Sequence, residues 1–110
     1  MESRTIVRHA DKVAAIRDFL NSESLDYLVI IGDAATGKSF ALNEALKDHY
    51  NYNIMIWNEK EKPDFWLGKR LDEYNDKWIL VRRSLDNLAI AFQNEWKSDC
   101  ITIQFERKIN

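Results

Sequence analysis

The sequence predicts an α/β fold: one small, mainly parallel sheet with helices on both faces. Three observations point there. Apolar runs alternate with segments whose apolar residues recur at helical spacing, the order that builds a parallel sheet covered by crossover helices. The run Tyr27–Ile31 (YLVII) is apolar without alternation, as a strand buried on both faces must be. It passes through GDAATGK into a helical pattern, and two of the chain's three glycines, Gly32 and Gly37, lie in that connection.

The chain of 110 residues has room for a single domain, 1–110, with one core. Its 45% apolar and 31% charged residues are those of a globular protein. A net charge of −2 gives no basic field to attract nucleic acid, so charge does not support such a partner. Cys100 is the only cysteine, which rules out an internal disulfide and a cysteine-based zinc site and suits a reducing, cytoplasmic setting. No apolar stretch reaches transmembrane length, and MESRTIVRHADK lacks the apolar segment of a signal peptide, so no membrane association is expected.

Taken in order, Arg4–Arg8 (RTIVR) reads as a short edge strand. Ala10–Leu20 is an amphipathic helix, with Val13, Ile16 and Leu20 at i, i+3, i+7, and Asn21–Ser24 (NSES) ends it. Tyr27–Ile31 is the first buried strand. After the glycine loop, Phe40, Ala41, Leu42, Ala45 and Leu46 form an apolar helical pattern that runs to about Tyr50. Asn53–Trp57 (NIMIW) is the next strand and is followed by Asn58-Glu59. Pro63-Asp64 supplies a turn and an N-cap for a short helix on which Phe65, Trp66, Leu67, Leu71 and Tyr74 share a face. Phe65-Trp66 reads as core rather than as a base-stacking platform, because the nearby charges of both signs describe a solvated face. Trp78–Val81 (WILV) is a third buried strand and runs into Arg82-Arg83-Ser84. Ser84 caps the last helix, where Leu85, Leu88, Ala89, Phe92 and Trp96 form the core stripe up to about Lys97. Asp86, in its first turn, favours the helix dipole. Cys100–Phe105 (CITIQF) is the final strand. Trp57, Trp78 and Trp96 are assigned to packing, and His9 and His49 to surface or helix-end positions.

The glycine loop carries the chemistry. Gly32–Ser39 has the spacing G-x-x-x-x-G-K-[ST], in which glycines let successive backbone N–H groups converge on a phosphate. Lys38 then reaches the β- and γ-phosphates, the Ser39 hydroxyl ligates Mg²⁺, and the following helix adds its positive dipole end.

The stretch IIGDAATGKS resembles the Walker A motif of P-loop NTPases, and its ATGKS ending is similar to versions in helicase-like and AAA-type ATPases. The resemblance covers about a dozen residues. It implies a P-loop NTPase-like fold that binds ATP, or another nucleoside triphosphate, with Mg²⁺. The nucleotide would contact Gly32, Asp33, Ala34, Ala35, Thr36, Gly37, Lys38, Ser39 and Phe40; Lys38 would act in catalysis and Ser39 on the metal.

In those NTPases a strand such as Trp78–Val81 ends in Asp-Glu, the Walker B acids. Here Arg82 and Arg83 take that place, and a cation beside Mg²⁺ repels it by several kcal/mol. Either this strand is not the Walker B equivalent, or an arginine contacts phosphate directly. Because alternate strand residues face opposite ways, one of the two also reads as a solvent-facing residue. Glu59 is either a solvated turn residue or a carboxyl facing the ligand crevice from the end of its strand.

Three functions follow. One is a minimal or degenerate ATPase with weak intrinsic hydrolysis, completed by a neighbouring subunit of a homo-oligomer. Another is a small-molecule or nucleoside kinase, with Glu59 serving metal or acceptor and the arginines clamping phosphates. The last is a non-catalytic nucleotide-binding module read by a protein partner. Strand order separates the first two: in the ATPases a further strand lies between the loop strand and the Walker B strand, whereas in kinases the two are neighbours.

Overall fold

The computed structural model describes residues 5–7, 11–34, 36–47, 54–58, 77–96 and 99–106. The strand Tyr27–Ile31 (β2) occupies the middle of the sheet because all five of its residues are apolar and all five are buried. Around it lie β1 (Thr5–Val7), β3 (Ile54–Trp57), β4 (Lys77–Arg82) and β5 (Cys100–Gln104), in the order β1-β5-β2-β4-β3. Every pairing is parallel. The sheet is thus wholly parallel among the described residues, and β2 is an interior strand with parallel neighbours, as its unbroken apolar pattern requires.

Three helices are described: α1 (Lys12–Asn21), α2 (Lys38–Leu46) and α3 (Asn87–Glu95). The steps β1–α1–β2 and β2–α2–β3 cross the sheet in one direction, and β4–α3–β5 crosses in the other. Right-handed crossovers therefore put α1 and α2 on one face and α3 on the opposite one. The cores agree. Leu28, Ile30, Ile79, Val81 and Ile103 pack under Ile16, Phe19 and Leu20 of α1 and Ala41, Leu42 and Ala45 of α2. On the other face, Tyr27, Val29, Ile31, Trp78 and Leu80 pack with Ala89 and Phe92 of α3. Tyr27 stacks between Trp78 and Trp96, with ring centroids 5.1 and 4.3 Å apart, so the tryptophans do serve packing. Gln93 and Thr102, both buried, meet through a 2.6 Å hydrogen bond between α3 and β5.

Several local expectations are corrected. Asp11 caps α1 by accepting from the Ala14 N–H at 3.1 Å, so that helix starts at Lys12. The cap of α3 is Asp86 and not Ser84: its carboxylate accepts from the Ala89 N–H at 2.9 Å. Leu85 consequently precedes the helix and is exposed, outside the core stripe. Phe40 lies on the solvent side of α2, 67% exposed, because the buried stripe of that helix is Lys38, Ala41, Leu42 and Ala45. The helix expected over Phe65–Tyr74, with Glu59, His9 and His49, lies outside the described residues.

One buried cation had no sequence signal. Lys77, 3% exposed at the start of β4, sits against the C-terminal end of α1. Its ammonium donates to the carbonyls of Phe19 (3.2 Å), Ser22 (2.6 Å) and Leu25.

Candidate functional site

The site grows from the carboxyl end of β2. Beyond the strand, the Gly32 N–H donates to the Arg82 carbonyl (3.1 Å) and the Phe105 N–H to the Ile31 carbonyl (2.7 Å), so β4 and β5 grip the start of the loop from both sides. Gly32 has no room for a side chain: a Cβ there would lie 2.8 Å from Phe105 Cβ and 2.8 Å from Thr36 Oγ1. Thr36 closes the turn by donating from its hydroxyl to the Asp33 carbonyl at 2.7 Å. Gly37 then takes the left-handed conformation (φ 90°, ψ 13°), which a side chain would strain, and α2 begins at the next residue.

This geometry leaves the N-terminus of α2 without a side-chain cap. Lys38, only 6% exposed, folds back under the loop, where its ammonium donates to the carbonyls of Gly32 and Asp33, the latter at 2.9 Å. Ser39 and Phe40 stand exposed on the first turn, and Asp33 and Ala34 are exposed on the loop. Ala35 lies outside the described residues.

Because β2 feeds a helix on one face and its neighbour β4 feeds a helix on the other, a crevice opens between their carboxyl ends, the usual ligand position in an open parallel sheet. A cleft of about 590 Å³ lies there. Gly32, Asp33 and Thr36 line it from the loop, Arg83, Ser84 and Leu85 from the end of β4, and Gln104, Phe105 and Glu106 from the end of β5. Of these, Ser84, Leu85, Gln104, Phe105 and Glu106 were not singled out as ligand contacts from sequence. Their signal in the sequence is their place at or just beyond the carboxyl ends of β4 and β5.

The two arginines separate. Arg82 turns toward α3 and binds the Asp86 carboxylate through Nε (2.9 Å) and a terminal nitrogen (2.7 Å). Burial alone would raise the Asp86 pKa, but the Arg82 hydrogen bond, the Ala89 N–H and the Arg82 charge outweigh it and hold the carboxyl below its ordinary value. Asp86 therefore does more than favour a dipole: it caps α3 and fixes Arg82. Arg83 is exposed and faces the cleft. Glu59 falls just past the described Asn58, after β3, a strand separated from β2 by β4. Cys100 is at the far, amino end of β5; burial, then the Asp99 charge, pushes its thiol up to about 12, which disfavours the thiolate. No described helix is long and apolar enough to cross a membrane.

Compared with known proteins, the chain matches no protein-family model, no curated protein and no solved structure.

Proposed function

We propose that the chain is a P-loop protein that binds ATP, or a related nucleoside triphosphate, with Mg²⁺ across Gly32–Ser39, and hydrolyses it weakly. The observation that carries this reading is the placement of Lys38. A buried ammonium at the first residue of α2 stands at the positive end of that helix, where a cation is disfavoured. The carbonyls of Gly32 and Asp33 offset part of that cost. A phosphate held over the loop would satisfy the ammonium and the helix N-terminus together, which is the logic of an anion site. Ser39 suits Mg²⁺: its hydroxyl is a hard oxygen donor, exposed on the same turn. When bound, the metal would neutralise phosphate charge.

Strand order bears on the reaction class. If β4 is taken as the Walker B strand, its direct pairing with β2 is the kinase arrangement, but β4 ends in arginines. If β3 is taken instead, β4 intervenes as in the ATPases, and the strand is followed by Asn58-Glu59. We favour the second assignment, because it puts a carboxyl group after the strand that needs one. Asn58 would then replace the metal-side aspartate by a neutral amide, in keeping with turnover below the roughly 1–10³ s⁻¹ usual for enzymes. A neighbouring subunit or protein partner would supply what the single chain lacks.

The test is a thermal-shift panel of nucleotides with and without Mg²⁺. A ligand at a hundredfold excess over its Kd stabilises the native state by about 2.7 kcal/mol. Mg²⁺–ATP is expected to raise the melting temperature, and Lys38→Ala to abolish most of that rise. An equal rise in the variant defeats the phosphate-loop reading.

A further inference from the structure

We propose that the outer edge of β3 is an interaction surface for a second copy of this chain, paired antiparallel across a two-fold axis into one continuous sheet. The sheet ends at β1 on one side and at β3 on the other, and among the described residues no strand lies beyond either. An edge strand carries unpaired backbone N–H and C=O groups, which proteins guard with charge, proline, a bulge or extreme shortness. The β1 edge is guarded: that strand has 3 residues and lies between Arg4 and Arg8. The β3 edge is not. Ile54–Trp57 holds no charged residue, glycine or proline, and residues 49–58 are the longest stretch of the chain without Asp, Glu, Lys or Arg. The interior strand β2 needs an uncharged run because strands pair with it on both sides, whereas β3 has such a run with one side paired.

The side chains of β3 agree. Ile54 and Ile56 pack against the core under α1 and α2, and Trp57 is buried against Phe92 of α3. Met55 alternates with the isoleucines and so lies on the Trp57 face, yet it is 39% exposed. A two-fold axis sets β3 opposite itself, so its backbone pattern meets an identical one and every contact is made twice. On most of a surface this rich in charge, self-pairing would oppose like charges, which is destabilising; along Ile54–Trp57 there are none to oppose. With the axis anywhere on Ile54–Ile56, Met55 lies directly or diagonally across from its counterpart, and each thioether covers the other. Antiparallel pairing also turns the two clefts to opposite ends of the joined sheet, so assembly and ligand binding are independent.

The experiment is analytical ultracentrifugation of the full chain without nucleotide, from about 1 to 100 µM, a range that brackets the affinity of a small interface. Wild type is expected to show a monomer–dimer equilibrium and no larger species, because a two-fold pairing closes on itself. Met55→Lys sets two ammonium groups across the axis and weakens the dimer by about tenfold or more, with the melting temperature of the dilute protein unchanged. Phe40→Lys, which changes the other strongly exposed apolar side chain, leaves the dimer as in wild type. A short bis-maleimide joins Met55→Cys into covalent dimers but does not join wild type, whose Cys100 is buried. A wild type that stays monomeric or forms open-ended aggregates overturns the pairing. So does a dimer that survives Met55→Lys or is lost in Phe40→Lys, or a Met55→Cys protein that does not cross-link. None of these results alters the thermal-shift test of Lys38, so the two readings fail separately.

Discussion

Lys38 and Lys77 are buried to a similar degree, 6% and 3% exposed, and each points its ammonium at backbone carbonyls. They lie at opposite ends of the sheet and in opposite helix fields. Lys77, at the amino end of β4, faces the C-terminal end of α1, whose terminal carbonyls and negative dipole end both favour a cation. The face of the Phe19 ring, 4.8 Å away, and Asp26, 4.0 Å away, add to that setting. Lys38 is the first residue of α2, at the positive end of its helix, and its described carbonyl partners belong to the loop that turns around it. The same side chain at the same burial thus meets a favourable helix end in one place and an unfavourable one in the other. Burial does not tell them apart. The sign of the helix terminus does.

The largest effect expected from this contrast is at Lys77. Lys77→Met keeps the volume and removes the ammonium, so the carbonyls of Phe19, Ser22 and Leu25 lose its three hydrogen bonds, at a cost of about 3 kcal/mol. Urea unfolding should show that loss, while the stabilisation by Mg²⁺–ATP stays as in wild type; a Lys77→Met protein as stable as wild type breaks the comparison. Gly32→Ala comes next. The new methyl would collide with Phe105, and overpacking of that kind costs about 2 kcal/mol. Because the displaced loop holds Lys38, the nucleotide-dependent shift should shrink as well, and a full shift in a destabilised variant would separate Lys38 from the loop's geometry.

The smallest effect sharpens the comparison at a third helix end. The N-terminus of α3 already has its anion, Asp86, whereas that of α2 has no side-chain cap. Asp86→Ala should cost about 1 kcal/mol. The folded-state pKa of Asp86 is lowered, so its contribution is present above the ordinary value of 3.8 and is lost as pH falls through the lowered one. Acid titration of stability should therefore be shallower in Asp86→Ala below pH 3.8. An unchanged acid slope would mean that Asp86 is not the anion serving that helix end.

Much of this was legible before any coordinates. The unbroken apolar run of β2, the Gly32–Ser39 spacing and the helix starting at Lys38 follow from short-range rules: strand burial, glycine conformations and the absence of a cap. Local pattern and structure part at the start of α3 and at Phe40. Ser84 and Asp86 are both good caps by type, and the deciding factor was Arg82, four residues before Asp86, which ties that carboxylate to the end of β4. Leu85 followed the same error, since its spacing fits the stripe of a helix that begins later than expected.

By itself, then, the sequence determined the described strands and helices and the glycine turn that leads into α2, because each depends on residues within a few positions of one another. Only the tertiary structure decided strand order, which arginine faces the cleft, and what Lys77 does. The carbonyls that Lys77 serves lie 52 to 58 residues earlier in the chain. The cleft likewise joins the ends of β2, β4 and β5, which no local pattern relates. Such groupings arise when distant apolar faces are buried together and the crossovers keep a single hand, so they emerge with the sheet and not before it.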